Sequence, residues 1–247
     1  MTYRFYLFFI LVFYIPSALA YKEELKIATF IGAPFADIVD NEFVGINIEI
    51  ATLLAKSINL TPIFIRCPFA RCLSMVKQGK ADMIMGLKKV PERQQDLIFL
   101  NPAFMVQHLP LRFFTLASKK VIINSFDDLD TLIVGTLRGG SYFELFDHSN
   151  SITKVELTSR EQLISMLLHG RIDTFIEREE SIIPLMSQDD YQQKILLSPY
   201  QYTTAVNSYI AISKHSHIKK YTAPLSQQLQ KLVTNGTITK IRMKSHK

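Results

Sequence analysis

The sequence predicts an α/β protein built as two lobes, and three observations support this prediction. Short apolar runs alternate with helical patterns in two successive series along the chain. Such alternation is typical of parallel sheets covered by helices. Each series also contains the phrase Gly–basic–x–Asp between a helix and a strand, at residues 79–82 and 170–173. A chain of 247 residues is long enough for two lobes of roughly 100 residues each.

The first series contains three predicted strands with helices between them. Ala33-Pro34-Phe35 breaks the chain after the first strand, and Gly79 ends the helix before the third. Pro91 opens a short helix, because proline is favoured at the first helical position. The predicted strands are residues 25–29, 62–65 and 82–87. The two longer helices have apolar faces formed by Ile50, Leu53, Leu54 and Ile58 and by Phe69, Cys72, Leu73 and Val76.

The second series continues the alternation. Ser125 is predicted to cap a short helix, and a glycine-rich turn leads into a helix from Tyr142. Ser159-Arg-Glu-Gln162 is a capping box, which predicts a helix that ends at Gly170. The predicted strands are residues 112–116, 131–137, 172–176 and 208–212. A long helix near the end has the inward face Leu225, Leu229, Leu232 and Val233, and a short helix follows Asn235-Gly236.

The first twenty residues have the pattern of a secretory signal peptide. Residues 5–14 are an unbroken apolar run after Arg4, and Ala18-Leu19-Ala20 supplies the small-residue pattern of a cleavage site. The run is half of the roughly 20 apolar residues that a membrane-spanning helix needs. We therefore predict that residues 1–20 are removed and that the mature chain, from Tyr21, is periplasmic. An uncleaved N-terminal anchor is the alternative.

Composition excludes several classes of protein. Hydrophobic residues make up 48% of the chain and charged residues 20%, which is unlike a disordered protein. The net charge is +6, but the basic residues are spread out, so we expect no nucleic-acid partner. His215-Ser-His217 has metal-ligand residue types but lies in a polar loop. We expect no metal, no cofactor and a monomer.

The two cysteines frame a predicted strand-to-helix turn, Cys67-Pro-Phe-Ala-Arg-Cys72. Export places them in an oxidising compartment, which favours a disulfide between them. Two free thiols are the alternative. The C-x-x-C spacing of a redox-active pair is absent, and one C-x-x-x-x-C pair is a weak metal signal.

Seven short phrases follow one another in order through most of the chain. They are Leu25-Lys-Ile-Ala-Thr29, Ala33-Pro-Phe35, Phe43-Val-Gly-Ile-Asn-Ile-Glu-Ile50, Gln78-Gly-Lys-Ala-Asp82, Val90-Pro-Glu-Arg93, Val134-Gly-Thr-Leu-Arg-Gly-Gly-Ser141 and Gly170-Arg-Ile-Asp173. In this order and spacing the chain resembles the extracytoplasmic solute-binding proteins of amino-acid uptake transporters, the group called family 3. The resemblance implies a periplasmic-binding-protein-like fold in which two crossing segments join lobes that close over a ligand. Lobe 1 would comprise residues 21–108 and 206–247, and lobe 2 residues 109–205.

The resemblance and the residues together predict a carboxylate site. Arg93 follows the strand at residues 82–87, where ligands lie in open α/β sheets, and a guanidinium can grip a carboxylate with two N–H groups. The resemblance implies that Arg93 holds the ligand's α-carboxylate; a surface arginine is the alternative. Ser141, after Gly140, sits where the family places a hydroxyl residue on the same carboxylate, and a plain N-cap is the other interpretation. Phe69 matches an aromatic residue that stacks on the ligand, but it also fits the apolar face of its helix.

Several positions depart from the family pattern. Gly86 and Lys88 occupy positions where several members have small hydroxyl residues, and Lys88 adds a positive charge. Arg178 aligns with the aspartate that accepts the ligand's α-ammonium group; Glu177 or Glu179 replaces it if the alignment shifts by one residue. As aligned, the site has gained positive charge, which favours an anionic or carboxylate-rich ligand over an ordinary α-amino acid.

The function implied is capture of a small polar solute, an amino acid or a related carboxylate, and its delivery to the permease of an ABC transporter. We expect no enzyme activity, since Gly139–Phe143 does not match G-x-S-x-G and the histidines form no triad-like motif. Two alternatives use the same fold. One is a cyclohexadienyl-dehydratase-like enzyme with Glu177 or Glu179 as general acid, and the other is a soluble sensor.

Overall fold

The computed structural model of the protein describes residues 23–187 and 190–244. The predicted signal peptide, residues 1–20, lies outside these residues. In the part of the chain that the structure describes, no helix has the length and apolar character needed to cross a membrane.

Strands and helices alternate through the described chain. The strands are β1 (Glu24–Thr29), β2 (Asp37–Val39), β3 (Glu42–Val44), β4 (Thr61–Arg66), β5 (Met83–Leu87), β6 (Leu97–Phe99), β7 (Met105–Gln107), β8 (Leu111–Leu116), β9 (Ile133–Leu137), β10 (Thr153–Leu157), β11 (Thr174–Arg178), β12 (Ile195–Tyr202) and β13 (Val206–Ser213). The α-helices are α1 (Ile46–Ser57), α2 (Phe69–Lys77), α3 (Pro91–Gln94), α4 (Glu144–His148), α5 (Arg160–Leu168), α6 (Glu179–Met186), α7 (Thr222–Thr234) and α8 (Thr237–Lys244). Short 3-10 helices span Ala117–Lys119, Asp127–Thr131, Asp190–Gln193 and His217–Tyr221.

Two sheets with flanking helices form the two lobes. The first sheet has the strand order β4-β1-β5-β13-β6, with β7 paired to β13, and the second has the order β10-β9-β11-β8-β12. In each sheet the first strand of a βαβ series pairs in parallel with the two strands beside it: β1 with β4 and β5, and β9 with β10 and β11. The predicted two-lobed α/β fold is therefore confirmed.

The chain passes between the sheets twice. It leaves the first sheet after β7, enters the second at β8, and returns from β12 to β13. Two crossing segments, residues 108–110 and 203–205, thus join the lobes. The lobe boundaries placed after residues 108 and 205 stay a prediction.

The Gly–basic–x–Asp phrase performs the same task in both lobes. The carboxylate of Asp82 accepts a hydrogen bond from the backbone N–H of Lys26 at 2.7 Å, and the Asp82 N–H donates to the Lys26 carbonyl at 2.8 Å. In the second lobe Asp173 exchanges the same two bonds with Ile133, both at 2.9 Å. Each aspartate therefore ties the end of a helix-to-strand turn to the neighbouring parallel strand, β1 in the first sheet and β9 in the second.

Replacement of Asp82 by alanine is expected to lower the free energy of unfolding by about 2 kcal/mol. The N–H of Lys26 and the buried hydroxyl of Ser216, which donates to Asp82 at 2.5 Å, both lose a charged acceptor. Asp173→Ala is the matched variant. Its side chain is 27% exposed, so water replaces the lost acceptor and the cost should be about 1 kcal/mol. Urea unfolding of both variants measures the difference, and equal losses would contradict the role of burial.

Cores lie between each sheet and its helices. In the first lobe Ile50 and Leu54 of α1 are fully buried, as the predicted apolar face requires, while Leu53 and Ile58 pack at its edge. In the second lobe the core is rich in aromatic residues, and the rings of Phe114 and Phe175 stack with centroids 4.8 Å apart. The helices hold the strand ends of both sheets in fixed positions.

Several elements differ from the sequence prediction. Strands β2, β3, β6, β7, β10 and β12 and helix α6 were not predicted, because these strands are short or lie at sheet edges and lack a continuous apolar run. Ser125 does not cap a helix with its side chain; its backbone N–H donates to Asp128, and a 3-10 helix begins two residues later, at Asp127. The capping box is half formed. The Ser159 hydroxyl accepts from the Gln162 N–H, but Gln162 reaches back to the N–H of Thr158.

Candidate functional site

A cavity of about 120 Å³ lies between the lobes, at the ends of strands from both sheets. Parallel strands of open α/β sheets place ligands at their carboxyl ends, and β5, β9 and β11 all end here. The eight residues that the sequence predicted for the site all line this cavity: Phe69, Gly86, Lys88, Arg93, Gly140, Ser141, Glu177 and Arg178. That they bind a ligand stays a prediction.

Arg93 is held at the cavity by the turn after β5. Pro91 starts α3, and the side chain of Arg93 is only 5% exposed. Its guanidinium donates to the carbonyl of Lys88 at 2.9 Å and, across the cleft, to the carbonyl of Gly139 at 3.0 Å. Within the described residues it forms no ion pair. Burial lowers the pKa of Arg93, and the charges of Asp147 and Glu92 act in the opposite direction.

Phe69 begins α2 and forms one wall of the cavity. A disulfide joins Cys67 to Cys72 across this turn, which confirms the predicted pairing. The Phe69 ring meets Phe30 edge-on at 5.0 Å, and the Arg93 guanidinium lies 5.7 Å from its centroid. Phe69 is also part of the first lobe's core. The position of Phe69 is therefore consistent with both interpretations, because its side chain lines the cavity and also packs in the core of the first lobe.

Gly86 lies near the end of β5, and Lys88 is the first residue after that strand. Gly86 has φ +81°, a conformation that L side chains rarely adopt, and an added Cβ would lie 3.4 Å from the Phe30 ring. The ammonium group of Lys88 donates to the carbonyl of Tyr142 in the other lobe at 2.9 Å. Lys88 and Arg93 therefore both bridge the cleft through backbone carbonyls.

Ser141 does not start a helix, because α4 begins at Glu144. The reason is Asp147, whose carboxylate accepts from the Ser141 hydroxyl at 3.1 Å and from the Tyr142 N–H at 3.0 Å. The Gly140 N–H donates to the carbonyl of Leu137. A side chain of the protein thus occupies donors that the sequence assigned to a ligand carboxylate.

The end of β11 presents Glu177 and Arg178 to the cavity, whereas Glu179 pairs with Arg112 at 2.6 Å and does not line it. Both oxygens of Glu177 are engaged. One accepts from Arg160 at 2.8 Å and the other from the backbone N–H of Arg178 at 2.9 Å. Glu179 therefore does not line this cavity, and the carboxylate that does line it, Glu177, is already paired.

Arg178 connects the cavity to both crossing segments. Its guanidinium donates to the carbonyl of Leu109 at 2.6 Å and to that of Thr204 at 3.4 Å. Burial lowers its pKa, opposed by the charges of Glu180 and Glu177. Glu180 accepts from the N–H groups of His108 and Leu109. One arginine and one glutamate therefore hold the crossing segments against the second lobe.

Sequence reasoning missed several lining residues, including Arg160 and Asn47. Arg160 follows β10 and opens α5, so the rule that ligands lie beyond strand ends would have found it once β10 was known. Asn47 is 8% exposed, and its side-chain oxygen has no partner among the described residues. The other missed lining residues are Phe30, Phe35, Met105, Gln107, Leu111, Leu137, Tyr142, Ser181, Val206, Asn207 and Ser208.

The lining of the cavity is electropositive. Four cationic side chains, Lys88, Arg93, Arg160 and Arg178, face one carboxylate, Glu177, which gives a formal charge of +3. The part of the chain that the structure describes contains no cluster of three His, Cys, Asp or Glu residues able to hold a metal ion. The cavity can therefore recognise an anion through guanidinium and ammonium donors that lie beside aromatic walls.

Two sheet-based lobes, two crossing segments and a polar cleft between them define the class of two-lobed solute-binding proteins. The family model of the bacterial extracellular solute-binding proteins, family 3, matches residues 25–246. The chain belongs to this family, as the ordered phrases of its sequence indicated.

Known proteins with sequence or fold similarity are amino-acid binders by name. The "Probable amino-acid-binding protein YxeM" of Bacillus subtilis is 20% identical over 85% of this chain and 79% of its own length. The structure of an ancestral arginine-binding protein bound to arginine has 18% identity and a TM-score of 0.76, covering 90% of this chain and 98% of that one. The amino acid ABC transporter substrate-binding protein AbpA of Streptococcus pneumoniae, bound to L-arginine, has 22% identity and a TM-score of 0.74, covering 90% and 94%. At these identities the solved structures support the fold alone.

Proposed function

We propose that this solute-binding protein captures a small carboxylate-bearing solute, of the amino-acid type or related to it, between its lobes. It acts in the periplasm after removal of residues 1–20 and delivers the solute to the permease of an ABC transporter. Arg93 grips the carboxylate from the first lobe, and the loop at Gly140 and Ser141 approaches from the second. Phe69 forms the apolar wall.

The observation that carries the proposal is the buried and unpaired charge of Arg93. A cation removed from water costs several kcal/mol unless an anion compensates it. Arg93 lies at the cavity and is 5% exposed, and the acceptors of its guanidinium among the described residues are two carbonyl oxygens. A ligand carboxylate supplies the missing anion. It also favours closure, since only the closed state brings donors of both lobes to the ligand.

The alternative of an enzyme on the same fold needs a general acid in the cleft. Glu177 accepts hydrogen bonds from Arg160 and from the N–H of Arg178, and Glu179 pairs with Arg112. This is the arrangement of structural ion pairs. Membership of the solute-binding family supports binding over catalysis, so we propose that the protein has no enzyme activity.

A thermal-shift screen of the purified protein tests the proposal. Amino acids, dicarboxylates and monocarboxylates are added singly, and a ligand present at 100 times its Kd should stabilise the protein by about 2.7 kcal/mol, which raises Tm by roughly 5–10 °C. The matched control for each hit is its carboxamide, which has the same shape without the carboxylate charge. A set of hits that bind equally well as carboxamides would contradict the proposal.

A further inference from the structure

The strongest unexplained feature of the cavity is its surplus of charged donors. A guanidinium has five N–H groups. Arg93 uses two of them on the carbonyls of Lys88 and Gly139, and Arg178 uses two on those of Leu109 and Thr204. Among the described residues neither arginine forms an ion pair. Each therefore retains N–H donors for which this part of the chain provides no acceptor.

These two cations line the cavity from different lobes. Arg93 extends from α3 in the first lobe to Gly139, whereas Arg178 lies at the end of β11 against the crossing segments. One small anionic group paired with Arg93 leaves Arg178 without an ion pair among the described residues, although the charges of Glu180 and Glu177 act on it. The two arginines are 5% and 6% exposed, so a second ligand anion would reduce the cost of burying Arg178.

A positively charged ligand group, by contrast, meets one carboxylate in the described cavity lining, Glu177, whose two oxygens already accept from Arg160 and from a backbone N–H. Asp147 is held by Ser141 and Tyr142. One oxygen of Glu180 accepts from two N–H groups of the first crossing segment; its other oxygen is buried without a partner among the described residues, but Glu180 does not line the cavity. Among the described lining residues, Asn47 has a buried side-chain oxygen without a partner, which suits a hydroxyl or an N–H group of the ligand.

We infer that the ligand is a small dicarboxylate without an ammonium group, with one carboxylate on Arg93 and the other on Arg178. Lys88 and Arg160 add to the positive potential around it. This inference rests on the proposed function, since it assumes that Arg93 binds a carboxylate. It departs from α-amino acid binding because the end of β11 presents an arginine to the cavity beside a carboxylate, Glu177, that is already paired with Arg160.

Calorimetric titration with two matched series tests this inference. The series are glutarate, L-glutamate and L-glutamine, and succinate, L-aspartate and L-asparagine. Within a series the carbon skeleton is constant, while an ammonium group is added and then one carboxylate becomes an amide. We expect a diacid to bind at least tenfold more tightly than its amino diacid and at least a hundredfold more tightly than the amide.

A second arm removes the second cation. Arg178→Gln keeps a hydrogen-bond donor for the crossing segments but loses the charge, and it should reduce the preference for glutarate over the monocarboxylate butyrate at least tenfold. Circular dichroism verifies that the variant folds; if it does not, the ligand series on the unchanged protein decides.

The outcomes separate the two proposals. If the amide or the amino diacid binds more tightly than its diacid, or if neither dicarboxylate binds, the dicarboxylate inference is overturned. Tight binding of glutamine that is lost in Arg93→Ala overturns only this inference and leaves the proposed carboxylate site intact. If no carboxylate binds at all, both proposals fail.

Discussion

Arg93→Ala is expected to weaken binding of a carboxylate ligand at least thirtyfold, which corresponds to about 2 kcal/mol. The substitution removes a planar donor that is buried at the cavity and that also bridges the lobes through the carbonyl of Gly139. It therefore removes a contact with the ligand and one that holds the lobes together in the closed form. Calorimetric titration of the wild type and the variant measures the loss directly.

Two further variants and one control test whether the affinity lost in Arg93→Ala comes from the guanidinium–carboxylate contact. Arg93→Lys should recover only part of the affinity, because an ammonium group cannot make the two-pronged contact. Ser141→Ala should cost at most about 1 kcal/mol, since the hydroxyl already donates to Asp147. Arg71→Ala is the matched control: Arg71 lies on α2 of the same lobe, is exposed and does not line the cavity. Wild-type affinity in Arg93→Ala would show that the carboxylate binds elsewhere.

Glu177→Ala is expected to lower the free energy of unfolding by about 3–5 kcal/mol, because it leaves the guanidinium of Arg160 buried without a counter-charge. The two side chains are 9% and 14% exposed and lie 2.8 Å apart, so water cannot readily replace the lost partner. For a chain of this size the loss lowers Tm by roughly 10 °C. A thermal melt without ligand records it.

The control for Glu177 is an ion pair of the same chemistry at the surface. Glu156 pairs with Arg138 at 3.5 Å, but both side chains are more than half exposed, so Glu156→Ala should change stability by less than about 1 kcal/mol. The double variant Arg160→Met, Glu177→Leu removes both charges and should be less destabilised than Glu177→Ala alone. Equal melting temperatures for Glu177→Ala and Glu156→Ala would refute the buried pair's role.

The fold class was predictable because its signals are local. Apolar periodicity marks β1, β4, β5, β9 and β11, and together with β10 these strands form the parallel part of both sheets. The edge strands β10 and β12 escaped prediction, because a strand at a sheet edge needs no continuous apolar run and its pairing comes from distant residues. Asp82 and Asp173, which occupy equivalent positions in the two lobes, show that a short repeated phrase can indicate equivalent contacts.

For the candidate site, too, some features could be predicted from the sequence and others could not. Arg93 was predictable as a cavity residue, because the end of a parallel strand is a position that periodicity locates, whereas Gly86 and Lys88 were indicated by the family resemblance. The hydrogen-bond and ion-pair partners of the charged side chains could not be predicted from the sequence. The contact of Asp147 with Ser141 was not foreseen, and Arg160 pairs with Glu177 across 17 residues of sequence.

The sequence by itself determined the two-lobed α/β class, the order of its main elements, the disulfide partners and the family, since each depends on short-range patterns and residue types. Only the tertiary structure decided which charges face the cavity, which are neutralised by the protein, and that Arg178 holds both crossing segments. The physical reason is that the acceptor of a buried charge is set by packing between lobes. Arg93 and Gly139 are 46 residues apart in sequence, and Arg178 and Leu109 are 69 residues apart.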